Sequence, residues 1–126
     1  MDKKIILTII AIILAGGLFW AWQSGVFSST KPFPIPGGII LFYGEDCPHC
    51  KNVEDFIFQN NLKEKVIFKE LEVWHNKDNQ NILVQVVQKC NIKTNEVGVP
   101  FLYDGANCYI GDKDIINFLK NEAGIQ

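Results

Sequence analysis

The sequence predicts an α/β domain that follows an apolar N-terminal segment. Short apolar runs typical of buried strands alternate with stretches whose apolar residues recur at helical spacing. Their order is β-α-β-α-β-β-α, which predicts a four-stranded mixed sheet flanked by about three helices. A chain of 126 residues has room for one such domain and an appendage, and its net charge of −2 gives no basic surface for nucleic acid.

The N-terminal segment has the composition of a membrane-spanning helix. Residues 5–22 carry no charged side chain, Lys3 and Lys4 precede them, and two tryptophans lie near their end. This length is close to the roughly 20 residues that a spanning helix needs, and it exceeds the apolar region of about 7–15 residues in a cleaved signal peptide. The sequence therefore predicts an uncleaved transmembrane anchor over residues 1–23, with the lysines cytoplasmic and the rest of the chain on the extracytoplasmic side of the cytoplasmic membrane.

A linker is predicted between the anchor and the domain. Residues 24–37 are rich in serine in their first half and contain Pro32, Pro34 and Pro36 in their second. Such a composition predicts a flexible stretch followed by a semi-rigid one. The α/β domain is then expected over residues 38–126.

The most informative stretch is Cys47-Pro48-His49-Cys50. It follows the apolar run of residues 39–43, which predicts a buried strand, and it precedes a stretch of helical periodicity. Pro48 suits the first turn of a helix, where its missing N–H is not needed. The two cysteines are therefore predicted where a strand ends and a helix begins.

That position predicts different chemistry for the two sulfurs. The unpaired N–H groups of a helix N-terminus favour a thiolate at Cys47, and His49 can add a positive charge or a hydrogen bond. Cys50 lies one helical turn on and can close a disulfide with Cys47. Cys47 is expected to be the attacking sulfur and Cys50 the resolving one. The sequence leaves open whether the acidic Glu45 and Asp46 face Cys47.

The remaining elements follow in order. Residues 66–73 predict a second strand, Asn76 or Asp78 can cap the next helix, and a hairpin turns at Asp104-Gly105. Asp112 is expected to cap a last helix that ends near Gly124.

Together these features resemble the thioredoxin superfamily. The resemblance rests on the strand, Cys47-Pro48-His49-Cys50, the helix, and later Gly98-Val99-Pro100 before a short apolar strand. It covers about residues 38–124 and matches a minimal, glutaredoxin-sized core, while the Pro-His dipeptide is similar to that of DsbA-type oxidants. The chain departs from thioredoxins at Leu41, where they usually place a buried acid.

The resemblance implies a thiol–disulfide oxidoreductase. It implies a cis peptide bond before Pro100, with Val99 offering its backbone to an extended substrate peptide. Cys47, Cys50, His49 and Pro48 would be the catalytic residues, and the redox-active disulfide would make a further cofactor or metal unnecessary. The expected partners are cysteine-containing client proteins and a membrane redox partner that recycles the dithiol. Whether the protein oxidises, reduces or isomerises clients is left open.

Several alternatives stay open at this stage. One is a glutathione-dependent, glutaredoxin-like reductase, and another is a copper- or zinc-binding module that uses Cys47 and Cys50, with or without His49. Cys90 and Cys108 are open to three interpretations: a second disulfide, two buried free thiols, or part of a four-cysteine zinc site. Both are expected at the end of the sheet remote from Cys47. His75 is expected in a surface loop rather than as a ligand.

Overall fold

The protein is described here from a computed structural model covering residues 2–23 and 34–126, with side chains in the first stretch described through Leu14. The chain divides into two units, a single helix and an α/β domain. The predicted linker falls mostly on residues 24–33, which lie outside the described residues. Residues 34–37 precede the first strand and contain no helix or strand.

The first unit is helix α1, Lys3–Gln23. Its apolar side chains from Ile5 to Leu14 are exposed on every side, including Leu7 and Ile12. Among the described residues, no helix combines the length and the apolar character that crossing a membrane requires. The structure therefore does not show the transmembrane helix predicted over residues 5–22, which stays a prediction.

The second unit is a four-stranded mixed sheet with helices on both faces, which is a thioredoxin-like α/β fold. Strand β1 lies in the interior of the sheet, parallel to β2 and antiparallel to β3, and the order in the described residues is β2-β1-β3-β4. The strands are β1 Ile39–Tyr43, β2 Phe68–Glu72, β3 Phe101–Tyr103 and β4 Cys108–Ile110. The helices are α2 Pro48–Gln59, α3 Leu62–Lys65, α4 Lys77–Lys89 and α5 Asp112–Glu122, with a 3-10 turn at Thr94–Glu96.

Alternation along the central strand divides the core into two layers. Ile40 and Phe42 face α4, whereas Leu41 faces α2 and α5. Each fully buried apolar side chain of this size stabilises the fold by roughly 1.5–3 kcal/mol. The α4 layer contains Ile40, Phe42, Val73, Ile82, Val86, Val87, Phe101 and Tyr103, and the other contains Leu41, Val53, Ile57, Leu62, Leu102, Ile115 and Leu119. The strand β1 is thus enclosed on both faces, as its continuous apolar run predicts.

Two element boundaries differ from those expected. The second strand begins at Phe68 rather than at residue 66, because the N–H of Val66 donates to the Leu62 carbonyl at 2.8 Å and closes the short helix α3. The last helix is capped by Gly111 rather than by Asp112. Gly111 has a φ of 86°, a conformation that favours glycine, and Asp112 becomes the first helical residue with its side chain turned to another helix.

Candidate active site

Three chain segments meet at the edge of the sheet where β1 ends. The loop from Gly44 to Cys47 continues from β1, Val99-Pro100 leads into the antiparallel neighbour β3, and Trp74 follows the parallel neighbour β2. Because β1 lies between β2 and β3, the loop that continues from β1 towards the two cysteines starts between the ends of these two strands. This juxtaposition defines the candidate site.

Cys47 caps helix α2 with its own sulfur. Its backbone is extended, its Sγ accepts the N–H of Cys50 at 3.3 Å, and Pro48 is the first helical residue. The N–H of Cys47 donates to the Gly44 carbonyl at 3.2 Å, which closes the turn before the helix. This backbone hydrogen bond to the sulfur puts Cys47 at the N-terminus of the helix, where the sequence predicts it.

Cys50 lies deeper and is more difficult to ionise. It is 2% exposed, and Cys47 is 7% exposed. Burial raises the pKa of the Cys50 thiol to about 12, its hydrogen bond with Cys47 acts in the same direction, and a backbone hydrogen bond from Gly44 opposes both. Both cysteines are free thiols here. Two sulfurs one turn apart, one at a helix cap and one kept protonated, can attack and resolve a disulfide in that order.

The Val99–Pro100 peptide bond is cis, as the resemblance implies. The Cys47 thiol donates to the Val99 carbonyl at 3.6 Å, so the residue before the proline faces the outer sulfur. Pro100 is fully buried, and its carbonyl accepts the N–H of Gly111 at 3.0 Å. The Val99 backbone is thereby held beside Cys47.

His49 contacts an acid on another helix. Its ring is 72% exposed, and its Nδ1 lies 3.3 Å from Oδ2 of Asp112. The same oxygen accepts Asn52 Nδ2 at 2.7 Å. The hydrogen bond from Asn52, followed by that from His49, holds the pKa of Asp112 below its ordinary value. The described polar contact of His49 is thus with Asp112, whereas the sequence analysis expected it to act on the Cys47 sulfur.

The acidic residues before the motif have other neighbours. Glu45 Oε2 lies 3.6 Å from Nδ1 of His75, and Asp46 is exposed with a φ of 63°. His75 is itself 70% exposed and lies in the loop after β2, where the sequence analysis expected it. The carboxylate of Glu45 is therefore directed along the surface toward His75.

Glu72 is a residue that sequence reasoning missed. Its carboxylate accepts the N–H groups of Trp74 at 2.7 Å, His75 at 2.9 Å and Asn76 at 3.2 Å, and that of Glu45 at 3.5 Å. Burial acts to raise the pKa of Glu72, but these backbone donors outweigh it and hold the pKa below its ordinary value. Glu72 joins the loop after β2 to the loop after β1. A lone acid at a strand end gives no signal of this in the sequence.

Trp74 was also missed, because in the sequence it is only a tryptophan beside a histidine. A Cβ built on Gly44 would lie 2.2 Å from Cε2 of Trp74, so the indole rests directly on the backbone of the loop that carries Cys47. Trp74 is nevertheless 48% exposed. The candidate site therefore includes a half-exposed aromatic ring that belongs to neither recognised motif.

Cys90 and Cys108 form a disulfide, which decides among the three interpretations left open. Cys108 pairs with Tyr103, which in turn pairs with Ile40 near the start of β1. This bond therefore lies at the end of the sheet opposite Cys47, as expected. It fastens the end of α4 to the edge strand β4.

Metal ligands are sparse around the dithiol. In residues 2–23 and 34–126, no group of three or more His, Cys, Asp or Glu side chains is arranged to hold a metal ion. Cys47 and Cys50 offer two sulfur ligands, and His49 is turned to Asp112.

Comparisons with protein-family models and with curated proteins find no match. Among solved structures the chain is similar to a wheat glutaredoxin, at 21% identity and a TM-score of 0.48, covering 69% of this chain and 73% of that one. A buckwheat glutaredoxin–glutathione complex has 18% identity, a TM-score of 0.47 and coverage of 70% and 71%. Reduced glutaredoxin C1 from Populus tremula x tremuloides has 16% identity, a TM-score of 0.46 and coverage of 71% and 68%. Similarity at this level does not identify an activity, so the proposals below rest on the geometry of this chain.

Proposed function

We propose that this protein is a thiol–disulfide oxidoreductase that exchanges disulfides with protein thiols through Cys47 and Cys50. The observation that carries the proposal is the cap of helix α2, where the Cys47 sulfur accepts the Cys50 N–H at 3.3 Å and faces the Val99 carbonyl at 3.6 Å. That arrangement suits a sulfur that is both a nucleophile and a good leaving group.

In the oxidising direction the reaction starts from a Cys47–Cys50 disulfide. A client thiolate attacks Cys47 Sγ, the bond to Cys50 breaks, and Cys50 takes up a proton, since its pKa of about 12 keeps it a thiol at neutral pH. A second client thiolate then attacks the client sulfur of the mixed disulfide, and Cys47 leaves as a thiolate. The client dithiol loses two electrons and two protons. The Cys47–Cys50 disulfide gains both electrons, Cys50 takes one proton, and the other proton goes to solvent.

In the reducing direction the Cys47 thiolate attacks a client disulfide, and one client sulfur leaves. Cys50 must then lose its proton to solvent base before it attacks Cys47 Sγ and releases the second client thiolate. Leu41, where thioredoxins usually have an acid, is 2% exposed and packs among apolar side chains. The raised pKa of Cys50 makes this deprotonation costly in the reducing direction, and it makes Cys50 a poorer leaving group in the oxidising direction, so the direction depends on the reduction potential of the pair.

Client recognition is proposed to use the Val99 backbone. An extended client segment would pair with it as a short strand beside Cys47. Because such pairing uses main-chain hydrogen bonds, it would accept many client sequences. The Val99 carbonyl within reach of the Cys47 sulfur supports this role, and the next carbonyl, that of Pro100, accepts the Gly111 N–H at 3.0 Å and holds the segment. Pro48 contributes by starting α2 directly after Cys47.

We further propose that residues 5–22 anchor the protein in the cytoplasmic membrane, with the α/β domain outside. The charge-free segment after Lys3 and Lys4 supports the anchor, as do its described apolar side chains, which are exposed from Ile5 to Leu14. The Cys90–Cys108 disulfide supports an oxidising compartment. A membrane redox partner would then restore the active form of the dithiol.

The test of the proposed function is to trap clients. Cys50→Ser removes the resolving sulfur, so cells expressing the full chain should accumulate mixed disulfides between Cys47 and client proteins on non-reducing gels. Cys47→Ser is the matched control and should accumulate none. The reverse pattern would contradict the assignment, and glutathione as the sole trapped adduct would support the glutathione-dependent alternative. Metal retained by protein purified under reducing conditions would support the copper or zinc alternative.

A further inference from the structure

The loop that carries Cys47 is covered on one side by an aromatic ring. The indole of Trp74 rests on Gly44, where even a methyl group would come within 2.2 Å of Cε2. Gly44 is the residue whose carbonyl accepts the Cys47 N–H. The turn of residues 44–47 therefore carries the outer sulfur at one end and packs against the indole at the other.

The backbone that carries the indole is held in place. The Trp74 N–H donates to Glu72 at 2.7 Å, and the Trp74 carbonyl accepts Gln80 Nε2 at 3.3 Å. The same Gln80 amide donates to the Val73 carbonyl at 2.6 Å. A ring with a fixed backbone loses little entropy when a ligand covers it, and half of its surface is still available for a ligand.

The ring also lies on the opposite side of β1 from the proposed client-binding backbone. Val99 precedes β3 on one side of β1, and Trp74 follows β2 on the other. A segment that pairs with Val99 and presents its cysteine to Cys47 would continue toward β2. Its residues next to the cysteine would then meet the indole.

We infer that Trp74 is a specificity-determining residue of the proposed redox site, a platform for an apolar or aromatic side chain next to the client cysteine. The inference rests on the proposed function and names its substrate class as extended, cysteine-containing polypeptides. The exposed carboxylates of Glu45 and Asp46 beside the platform favour neutral or basic segments over an anionic tripeptide such as glutathione.

The experiment measures a preference rather than a rate. The oxidised full chain is mixed with one of two reduced dithiol peptides that differ only in having Phe or Ser next to the attacking cysteine. Each rate is divided by the rate of the same variant with dithiothreitol, which has no side chain. A general change in the reactivity of the Cys47–Cys50 disulfide then cancels. A stacked aromatic contact should give a Phe-over-Ser preference of about three- to tenfold.

Three variants identify the residue responsible. Trp74→Ala should bring the preference close to one, and Trp74→Phe should keep most of it. Trp74→Gln, which fills the space over Gly44 without a ring, should behave like Trp74→Ala and replaces it if that variant does not fold. Phe58→Ala is the matched control, because Phe58 is an exposed aromatic near the far end of α2, and it should leave the preference unchanged.

The outcomes separate this inference from the proposed function. Equal rates for the two peptides with the unaltered chain, or a preference that survives Trp74→Ala and Trp74→Gln, would overturn the role of Trp74 while leaving disulfide exchange in place. A Phe58→Ala chain that loses the preference would overturn it as well. No exchange with dithiothreitol or with either peptide would instead remove the proposed function, and the inference with it.

Discussion

Two cysteines one helical turn apart have different surroundings because one forms the helix cap and the other is enclosed by the core. Cys47 has a backbone N–H directed at its sulfur, whereas Cys50 is 2% exposed and its pKa is raised to about 12. Burial penalises the charged form of Cys50 whether or not a client is bound. The difference between the two cysteines is therefore a property of the protein alone. It has a measurable effect on stability.

We predict that the reduced chain loses stability at alkaline pH through Cys50. The folded thiol keeps its proton up to a pKa of about 12, against an ordinary value of 9.0, so the folded state binds more protons in this range. Its contribution is therefore fully present below pH 9 and is lost as the pH rises toward 12. Denaturant unfolding of reduced protein between pH 8 and pH 11 should show a steeper decline for the unaltered chain than for Cys50→Ala. Parallel curves would contradict the raised pKa.

His49 should make the dithiol more oxidising, by an amount that its acidic neighbour limits. An imidazole between the two cysteines of the sequence can donate a hydrogen bond to the thiolate, which exists only in the reduced form, but Asp112 lies 3.3 Å from the His49 ring. We predict that His49→Ala lowers the reduction potential by up to about 30 mV, the equivalent of 1.4 kcal/mol for two electrons. The measurement is equilibration of the Cys47–Cys50 pair with glutathione buffers.

A control separates this effect from that of any surface charge. His75→Ala removes a histidine of similar exposure, 70%, that faces Glu45 and Glu72 in another loop. It should change the potential less than His49→Ala does. A potential that is unchanged in His49→Ala would mean that the imidazole contributes nothing to the dithiol, and the oxidant direction would lose one of its supports.

Apart from Val99 and Pro100, which the family resemblance indicates, the site residues that the sequence could predict are those whose neighbours are close in the chain. Cys47, Pro48 and Cys50 are defined by one strand-to-helix junction, which the apolar run and the helical periodicity already indicate. The partner of His49 is 63 residues away, and the contact of Trp74 with Gly44 crosses from one strand to the next. Such contacts depend on packing that a single sequence does not encode locally.

At the scale of elements, the helices with a strong period and a side-chain cap could be predicted closely. Asn76 caps α4 as expected, accepting the N–H groups of Asp78 and Asn79 at 3.1 Å each. The errors fall where backbone conformation decides. Asn61, with a φ of 48°, begins the short α3, which moves the start of β2 to Phe68, and Gly111 takes the cap of α5 from Asp112.

We predict that Asn76→Ala lowers the free energy of unfolding by about 1 kcal/mol, because two helix N–H groups lose their acceptor. Asn81→Ala is the matched control, since Asn81 is an exposed asparagine inside the same helix. Alanine there should be neutral or slightly stabilising. Urea unfolding of the full chain and both variants measures the difference. Equal stability of the two variants would show that the cap contributes nothing.

At the scale of the whole molecule, the chain holds two cysteine pairs at opposite ends of one sheet. Cys47 and Cys50 are free thiols at the end with the cis proline, and Cys90–Cys108 is a bond at the other end. The second pairing could not be predicted, because it depends on the register that brings β4 against the end of α4. A loop of this size, closed over 18 residues, stabilises a fold by about 3 kcal/mol in the chain-entropy model. Such a bond persists only where the surroundings are oxidising.

That bond makes the proposed location testable in cells by two independent readouts. If residues 5–22 anchor the chain with Lys3 and Lys4 inside, protease added to cells with a permeable outer layer should remove the α/β domain. In cells quenched with acid, which preserves the state of each cysteine, a thiol-specific label should also fail to react with Cys90 and Cys108, because they form a disulfide. Replacing Lys3 and Lys4 by Glu weakens the positive-inside signal and should increase the protected fraction. Full protection of the unaltered domain, with all four cysteines labelled, would overturn the extracytoplasmic proposal while leaving the chemistry of Cys47 and Cys50 intact.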